Sequence, residues 1–228
     1  ENKKIKLFYS NDGDGGEFLY HALFERFYNE TVREIEGYVN KGDVVIDAGA
    51  NLGFFSLIAS KLVGEPGKVI AFEPGKKNFQ KLERNLRLNS SKNIIPVNMG
   101  LGSEENSAIL NYNPSQTGLS SIKNEVASTN SRESISLISL TDYVKRENLI
   151  VKLIKIDTEG YEPEVLEGAR EIITLQKPVI YVELGGYYPE TSLQAISILE
   201  SLGYKSEKET AEMIKAPAGT NFIFKSST

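Results

Sequence analysis

The sequence predicts an α/β fold: a mostly parallel sheet of about seven strands, helices on both of its faces, and a helical cap at the N-terminus. Short apolar runs alternate with segments of helical periodicity from 41 to 225, which is the pattern of strands joined by helices. No repeat, low-complexity tract or proline-rich linker divides the chain of 228 residues. We therefore expect a single domain, 1–228, with the cap in 1–40 and the core in 41–228.

The first half of the core predicts three strands and two helices. Buried-strand patterns occupy 44–49, 68–73 and 93–98. Apolar residues at helical spacing follow the first two strands: Phe54, Phe55, Ile58 and Leu62 in one helix, and Phe79, Leu82 and Leu86 in the other. Helices of this length between strands favour right-handed βαβ units and hence a parallel sheet.

The rest of the core interrupts this alternation once and then resumes it. Segments 107–112 and 134–140 are strand-like, whereas the polar stretch Asn113–Glu133, with Gly118, predicts a loop inserted at the sheet edge or over a site. Alternation returns in strands at 151–157, 179–184 and 220–224, and in helices near Pro163 and over 193–202. The N-terminal segment 18–39 predicts the helix of the cap.

The composition excludes several classes of site. The chain has no cysteine, so disulfides, thiolate metal sites and a cysteine nucleophile are impossible; its one histidine, His21, excludes a pair of imidazoles within one chain. With 26 basic and 31 acidic residues the net charge is −5, which disfavours nucleic acid as a partner. We expect a cytoplasmic protein, because no apolar run reaches the ~18 residues of a membrane span and no signal peptide is evident. Glu1 in place of methionine predicts a trimmed start or a longer parent chain.

The turn Asp47–Gly53 joins the first strand to the first helix and is the strongest candidate for a nucleoside-binding site. Gly49 and Gly53 permit a tight turn and close approach of a ligand to the backbone. In open parallel sheets, ligands bind at the carboxyl ends of the strands, where helix N-termini offer amides. Glu73 ends the second strand, where a carboxylate can accept hydrogen bonds from both hydroxyls of a ribose. Together these features predict an adenosine-type cofactor.

The spacing of the glycines selects among nucleoside cofactors. A dinucleotide motif counted from Gly49 would need glycine at 51 and 54, where Asn51 and Phe54 stand, so a pyrophosphate is disfavoured. No triphosphate-binding G-x-x-x-x-G-K-[ST] motif is present. S-adenosylmethionine carries no phosphate, and Asp47 can face its ammonium group while the amides of the turn meet its carboxylate. This cofactor therefore fits better than a nicotinamide dinucleotide.

Several segments resemble, in order, the motifs of the FkbM-type methyltransferase family. They begin with VIDAGANLGFFS at 45–56, AFEP at 71–74 and NMGLG at 98–102. The block IKIDTEGYE at 154–162 with VLEGA at 165–169 resembles the segment that sets the family apart. SLTD at 139–142 and PVIYVE at 178–183 also match. The resemblance extends from about Lys41 to Leu184.

The resemblance implies a Rossmann-like class I methyltransferase fold, S-adenosylmethionine as cofactor, and methyl transfer to a hydroxyl oxygen. The first motif would surround the methionine end, Glu73 would hold the ribose, and the third motif would line the adenine edge. The cofactor-binding residues that it implies are Asp47, Ala48, Gly49, Asn51, Gly53, Phe54, Glu73, Pro74, Asn98, Met99, Gly100 and Asp157. The chain departs from the family pattern where Leu184, Gly185 and Gly186 replace a common histidine and where Tyr161 replaces a small residue.

The candidate catalytic residues follow the strand at 151–157. Methyl transfer from a sulfonium needs an aligned acceptor, and an alcohol acceptor also loses a proton. We expect Asp157 to orient the acceptor or take its proton, with Glu159 assisting; the alternative for Glu159 is to cap the next helix. Glu183 would position the acceptor or stabilise the fold. We expect no metal, because no adjacent pair of oxygen ligands supports a divalent cation shared by Asp157 and Glu183.

The acceptor is the least constrained part of the prediction. We expect a hydroxyl group of a small molecule or glycan. The alternatives are an N-methyltransferase on the same scaffold, a nicotinamide-dependent oxidoreductase, which Asn51 disfavours, and a non-catalytic binding module. His21 is expected to be a packing or solvated residue, and it becomes a rival base if the cap covers the site. No sequence feature indicates an oligomeric state.

Overall fold

The computed structural model of the chain describes residues 5–7, 29–113, 116–122 and 131–227. Most of the predicted cap, including His21, lies outside these residues. Within the cap, residues 29–35 form helix α1, and Ile35 and Val39 are buried. Both belong to the same hydrophobic cluster as Val45 of the first strand, so this part of the cap packs on the core.

The predicted mostly parallel sheet is confirmed. In chain order the strands are β1 (Val44–Ala48), β2 (Lys68–Phe72), β3 (Ile94–Val97), β4 (Gly100–Gly102), β5 (Asn106–Asn113), β6 (Gln116–Ser121), β7 (Ser131–Ser139), β8 (Val151–Ile156), β9 (Val179–Glu183), β10 (Tyr204–Ser206) and β11 (Asn221–Ser226). Seven of them form the main sheet in the order β10-β11-β9-β8-β1-β2-β3, in which β11 runs antiparallel to the other six. The central strands β1 and β8 are buried along nearly their whole length, as expected for parallel strands covered on both faces.

Helices cover both faces of the main sheet, as predicted. After α1 they are α2 (Phe54–Val63), α3 (Lys76–Leu88), α4 (Leu140–Arg146), α5 (Glu162–Gln176), α6 (Pro189–Ser201) and α7 (Thr210–Met213). Successive side chains of a strand point to opposite faces. In β1, Val45 lies in a hydrophobic cluster with residues of α1, α2 and α3, whereas Ile46 and Ala48 lie in a cluster with residues of α4, α5 and α6.

The middle of the chain forms a second sheet of four strands in the order β4-β7-β5-β6. The prediction of one loop over Asn113–Glu133 is therefore wrong within the described residues, because 116–121 is strand β6 and 131–133 belong to β7. The sequence of β6, QTGLSS, is mostly small and polar and lacks the apolar alternation that marks a half-buried strand. Its strand conformation comes from pairing with β5.

The strand predicted over 134–140 ends one residue early, because Leu140 begins α4. Ser139 caps this helix: its Oγ accepts a hydrogen bond from the Asp142 backbone N–H at 3.0 Å and donates one to Asp142 Oδ2 at 2.6 Å. A serine with an acidic residue three positions later is a recognised signature of a helix start. The short elements β4, β10 and α7 were also not predicted.

Candidate active site

A cleft that opens to solvent lies at the carboxyl ends of β1, β2 and β8, and its cavity volume is about 90 Å³. The predicted site residues that line it are Gly49, Asn51, Glu73, Pro74, Gly100, Asp157 and Glu159. The other lining residues are Phe72, Asn78, Leu101, Leu110, Ser120, Ile122, Thr158 and Tyr161. The structure thus brings together segments that lie more than a hundred positions apart in the sequence.

The glycine turn after β1 is held tightly against β8. Gly49 has φ +80°, and a Cβ at this position would lie 1.9 Å from the carbonyl oxygen of Asp157. The N–H groups of Gly49 and Ala50 both donate to the Phe72 carbonyl oxygen, at 3.1 and 2.9 Å, and the Gly53 N–H donates to Ala50 at 2.8 Å. These amides are therefore used within the protein, and a cofactor carboxylate that was expected to meet them needs other partners.

Glu73 is held at the wall of the cleft by backbone groups. Its Oε2 accepts a hydrogen bond from the Asn51 N–H and its Oε1 from the Gly75 N–H, each at 2.9 Å. Asn98 does not line the cleft; its side-chain amide donates to the carbonyl oxygens of Glu73 and Pro74 at 2.9 and 3.0 Å. Burial raises the pKa of Glu73 to about 7. A carboxylate has about four acceptor sites, so two of them stay available to ligand hydroxyls.

Asn51 supplies a second acceptor in the cleft. Its backbone is left-handed, with φ +49°, and its side-chain Oδ1 is buried without a hydrogen-bond partner in the structure. A buried amide oxygen without a donor costs free energy, which a ligand N–H or O–H in the cleft would recover. The cleft therefore fits a ligand that offers hydrogen-bond donors beside Asn51 and Glu73.

Asp47, which the sequence predicts beside the cofactor ammonium group, is instead fully buried beneath the turn. Its Oδ2 accepts from Ser56 Oγ at 2.5 Å, and its Oδ1 lies 3.2 Å from Lys155 Nζ. Lys155 Nζ also lies 3.2 Å from Asp157 Oδ2 and donates to the Gly49 carbonyl oxygen at 2.8 Å. Burial alone would lower the pKa of Lys155, but Asp157 and Asp47 outweigh this effect and raise it above its ordinary value.

Lys155 is a site residue that the sequence analysis missed. A signal was present, because a lysine inside an apolar strand that is buried on both faces needs a buried partner. In the parallel pairing of β1 and β8, Lys155 stands opposite Asp47. The register, which only the folded sheet provides, identifies that partner.

Glu159, in the loop after β8, and Glu183, the last residue of β9, have raised pKa values. Burial, with the nearby charges of Asp157, Glu183 and Glu162, raises the pKa of Glu159 to about 8. Burial and the charge of Asp157 raise the pKa of Glu183 to about 7, although its Oε1 accepts a hydrogen bond from the Gly219 N–H at 2.7 Å. Carboxyl groups that titrate near neutral pH in a cleft are suited to proton transfer.

The loop between β8 and α5 is organised by Glu162 rather than by Glu159. Glu162 Oε1 accepts from the Thr158 N–H at 2.9 Å, from Thr158 Oγ1 at 3.0 Å and from the Gly160 N–H at 3.1 Å. Helix α5 has no side-chain cap at its N-terminus. Glu159 adopts φ +53°, an uncommon conformation for a residue other than glycine, and it lines the cleft.

The second sheet forms one wall of the cleft. Leu110 of β5, Ser120 of β6 and Ile122 line it together with Tyr161. Ser121 Oγ donates to the backbone carbonyl oxygen of Glu159 at 2.8 Å, which ties β6 to the loop after β8. The sequence left open whether the inserted segment lies at the sheet edge or over the site; its described part contributes directly to the site.

The remaining predicted cofactor residues lie behind the cleft. Met99 and Phe54 are half-buried and pack against opposite hydrophobic clusters, and Ala48 is fully buried. Gly53 has φ +86°, and an added Cβ would lie 2.5 Å from Leu82 Cδ1. None of these four residues is among those that line the cleft.

In the part of the chain that the structure describes, no three His, Cys, Asp or Glu side chains are grouped as metal ligands. Asp157 and Glu183, the pair considered for a shared cation, both lie near the positive charge of Lys155. None of the described helices has the length and apolar character needed to cross a membrane.

The thermal stability of the ligand-free protein is expected to fall by roughly 5–10 °C between pH 5 and pH 8.5. The pKa values of Glu73 and Glu183 are about 7 and that of Glu159 about 8, all above the ordinary 4.5. The folded state holds these protons more tightly than the unfolded state, so this stabilisation is complete below about pH 4.5 and is lost as the pH rises through 7 to 8. Melting temperatures across this range test the expectation. Glu183→Gln should flatten the dependence, and a melting temperature that rises with pH would contradict it.

The sequence and the fold match known methyltransferases. The family model of the methyltransferase FkbM domain matches residues 47–206. Methyltransferase 1 of Beauveria bassiana is 29% identical over 143 residues, which are 54% of this chain and 57% of that protein. The hexuronic acid methyltransferase AglP of Haloferax volcanii is 27% identical over 169 residues, which are 74% of this chain and 67% of that protein.

A crystal structure of methyltransferase FkbM from Methylobacillus flagellatus has the same fold. It superimposes with a TM-score of 0.57 at 20% sequence identity, over 82% of this chain and 44% of that one. The chain therefore spans about half the length of Methyltransferase 1 and of this structural relative.

Proposed function

The chain belongs to the FkbM methyltransferase family, and on that premise we propose that it transfers the methyl group of S-adenosylmethionine to a hydroxyl oxygen of a small molecule or glycan. One observation carries the choice of cofactor: the described lining of the cleft presents acceptors, Glu73 and the unpartnered Asn51 Oδ1, and no lysine or arginine. The ribose hydroxyls and the ammonium group of S-adenosylmethionine are donors that match these acceptors.

The same lining argues against a nicotinamide dinucleotide. A pyrophosphate needs cationic side chains or free amides, and the N–H groups of Gly49, Ala50, Asn51 and Gly53 already donate within the protein. The apolar wall formed by Phe72, Leu101 and Leu110 is suited to the adenine ring, next to the Glu73 carboxylate. In this arrangement Asn51 accepts from the ammonium group or from a ribose hydroxyl.

The predicted residues that do not line the cleft are assigned supporting roles. Asp47 holds Lys155 beneath the turn, and the Asn98 amide holds the backbone that carries Glu73. Gly53, at φ +86°, lets the turn pack closely on Leu82. These residues support the cofactor site through the backbone geometry that they maintain.

When bound, S-adenosylmethionine would supply a methyl group on a positively charged sulfur; the bond between that sulfur and the methyl carbon breaks as the acceptor oxygen bonds to the carbon, and S-adenosylhomocysteine leaves. Asp157, at the cleft and beside Lys155, orients the acceptor hydroxyl and takes its proton as the new carbon–oxygen bond forms. Glu159, whose pKa is about 8, stands two residues further along and carries or relays a proton near neutral pH. The second-sheet wall and Tyr161 bound one side of the cleft in which these groups lie.

A hydroxyl acceptor is supported by the carboxyl groups at this end of the cleft, because an alcohol must lose its proton during transfer. A sugar acceptor is supported by the relative AglP, whose name gives a hexuronic acid as its acceptor. The net charge of −5 supports a small molecule or glycan over a nucleic acid.

The cofactor and the acceptor class are tested in separate experiments. Calorimetric titration with S-adenosylhomocysteine and with NAD tests the cofactor, and binding of NAD alone would overturn the proposal. Transfer from S-adenosylmethionine with a deuterated methyl group, followed by mass spectrometry, tests acceptors drawn from neutral glycosides, hexuronic acid glycosides, amines and RNA. Methylation confined to amines or RNA would contradict the proposed acceptor.

Glu73→Ala is expected to weaken cofactor binding, whereas Asp157→Asn is expected to slow methyl transfer. Glu73→Ala should weaken S-adenosylhomocysteine binding about 10- to 100-fold, because the ribose loses charge-assisted hydrogen bonds. Asp157→Asn should leave this affinity within about threefold and lower the transfer rate at least about 100-fold. The exposed Glu104→Ala serves as the control and should alter neither. A Glu73→Ala protein of normal affinity would remove Glu73 from the ribose site.

A further inference from the structure

Lys155 joins three parts of the candidate site through one buried ammonium group. Its Nζ lies 3.2 Å from Asp47 Oδ1, 3.2 Å from Asp157 Oδ2 and 2.8 Å from the Gly49 carbonyl oxygen. Lys155 is 6% exposed, and its Nζ lies 6.0 Å from the centre of the Phe55 ring. The contacts reach β1, the glycine turn and the end of β8 at the same time.

A purely structural role does not account for all of these contacts. Asp47 is fully buried, so one lysine beside it would be enough to neutralise its charge. The Asp157 side chain is 33% exposed and is reached by water, so its charge needs no such partner. The second contact therefore fixes where Asp157 points rather than making its burial possible.

We propose that Lys155 is a positioning residue of the methyl-transfer site, which fixes Asp157 against the Gly49 turn and supplies the positive charge facing the acids at the acceptor end. This inference rests on the proposed function of the cleft. It makes Lys155 the link between the turn beneath the cofactor and the carboxylate assigned to the acceptor.

The charges around Lys155 are otherwise negative among the described residues. The titratable groups that act on Lys155, on its carboxylate partners or on the acids whose pKa values it lowers are Asp47 of β1, Glu73 after β2, Asp157 and Glu159 after β8, Glu162 of α5, and Tyr181 and Glu183 of β9. The positive charge of Lys155 lowers the pKa values of Glu73, Glu159 and Glu183 relative to what burial alone would give. Removing it should make these carboxyl groups hold their protons to higher pH.

The test compares the double variant Asp47→Asn/Lys155→Met, which leaves no buried unpaired charge, with Asp47→Asn and with the wild type. The side-chain carboxyl carbons of Glu159 and Glu183 are followed by ¹³C NMR from pH 5 to pH 10, and S-adenosylhomocysteine is titrated by calorimetry. In the double variant both midpoints should rise, by roughly one pH unit. The Glu159 and Glu183 midpoints should stay at the wild-type values in Asp47→Asn, which keeps Lys155. They should also stay there in Lys152→Met, which removes an exposed lysine of the same strand.

Unchanged Glu159 and Glu183 midpoints in a folded double variant would overturn the proposal, and so would an equal rise in Asp47→Asn. If the double variant does not fold, the pH titration of Lys155 in the wild-type protein tests the proposal instead. The ¹⁵N resonance of the Lys155 ammonium group should persist above the pH at which a lysine in water loses its proton, and titration like a lysine in water would overturn the proposal. Wild-type protein that does not bind S-adenosylhomocysteine would count against the proposed function, whereas these titrations report on Lys155 alone.

Discussion

Gly49→Ala is expected to weaken S-adenosylhomocysteine binding by at least about tenfold and to lower the free energy of unfolding by about 2–4 kcal/mol. The added methyl group would lie 1.9 Å from the Asp157 carbonyl oxygen, so the turn and the end of β8 must separate. The left-handed backbone, at φ +80°, adds strain. Because Lys155 donates to the Gly49 carbonyl and pairs with Asp157, the displacement also disturbs that contact.

Gly42→Ala separates the two causes of this loss. Gly42 has φ +96°, and an added Cβ would meet nothing within 4 Å. This variant therefore carries the backbone strain without the clash and should lose only about 1–2 kcal/mol, with normal ligand affinity. Calorimetry and denaturant unfolding of both proteins make the comparison. Equal losses would mean that close packing of the turn on β8 is unimportant.

The architecture of the main sheet could be predicted from local pattern because its strands obey a simple rule. A parallel strand covered on both faces has a continuous apolar sequence, as in VIAF at 69–72 of β2, and glycines or prolines follow several of the elements. The helices between them follow from apolar spacing alone, as Leu82 and Leu86 of α3 show by their burial. These signals need no knowledge of distant contacts.

The second sheet could not be predicted in full because part of its stability comes from partners rather than from its own sequence. Strand β6 has little apolar surface to bury and is defined by its pairing with β5. Its hydroxyl-rich end nevertheless reaches the site, since Ser121 binds the Glu159 carbonyl and Ser120 lines the cleft. The start of α4 could have been predicted from the sequence, because Ser139 and Asp142 have the spacing of a helix cap.

The candidate site could be predicted as a set of segments but not as a set of contacts. Glu73, Asn51 and Asp157 reach the cleft at the strand ends where the sequence places them. Which amides stay free depends on tertiary pairing, and here the turn donates to the Phe72 carbonyl. Which charge opposes Asp47 depends on the register of β1 with β8. Neither relation is encoded in any short stretch of the chain.

Gly168→Ala is expected to destabilise the protein by about 1–3 kcal/mol, although the same change inside an exposed helix stabilises by about 1 kcal/mol. Gly168 lies within α5, where its missing side chain lets β4 approach: an added Cβ would lie 1.9 Å from the Gly102 carbonyl oxygen. The clash is with backbone, which cannot rotate away as a side chain could. Helix α5 and β4 must therefore move apart.

The consequence of that separation should extend to the cleft. Strand β4 contains Gly100 and Leu101, which line the cavity, and α5 follows the loop that carries Asp157 and Glu159. Gly168→Ala is therefore expected to weaken S-adenosylhomocysteine binding as well as stability, without any change to a residue that touches the cavity. Thr174→Ala, at an exposed position of the same helix, should leave both quantities near their wild-type values. If Gly168→Ala instead behaved like Thr174→Ala, the second sheet would not be held to the main fold through this contact.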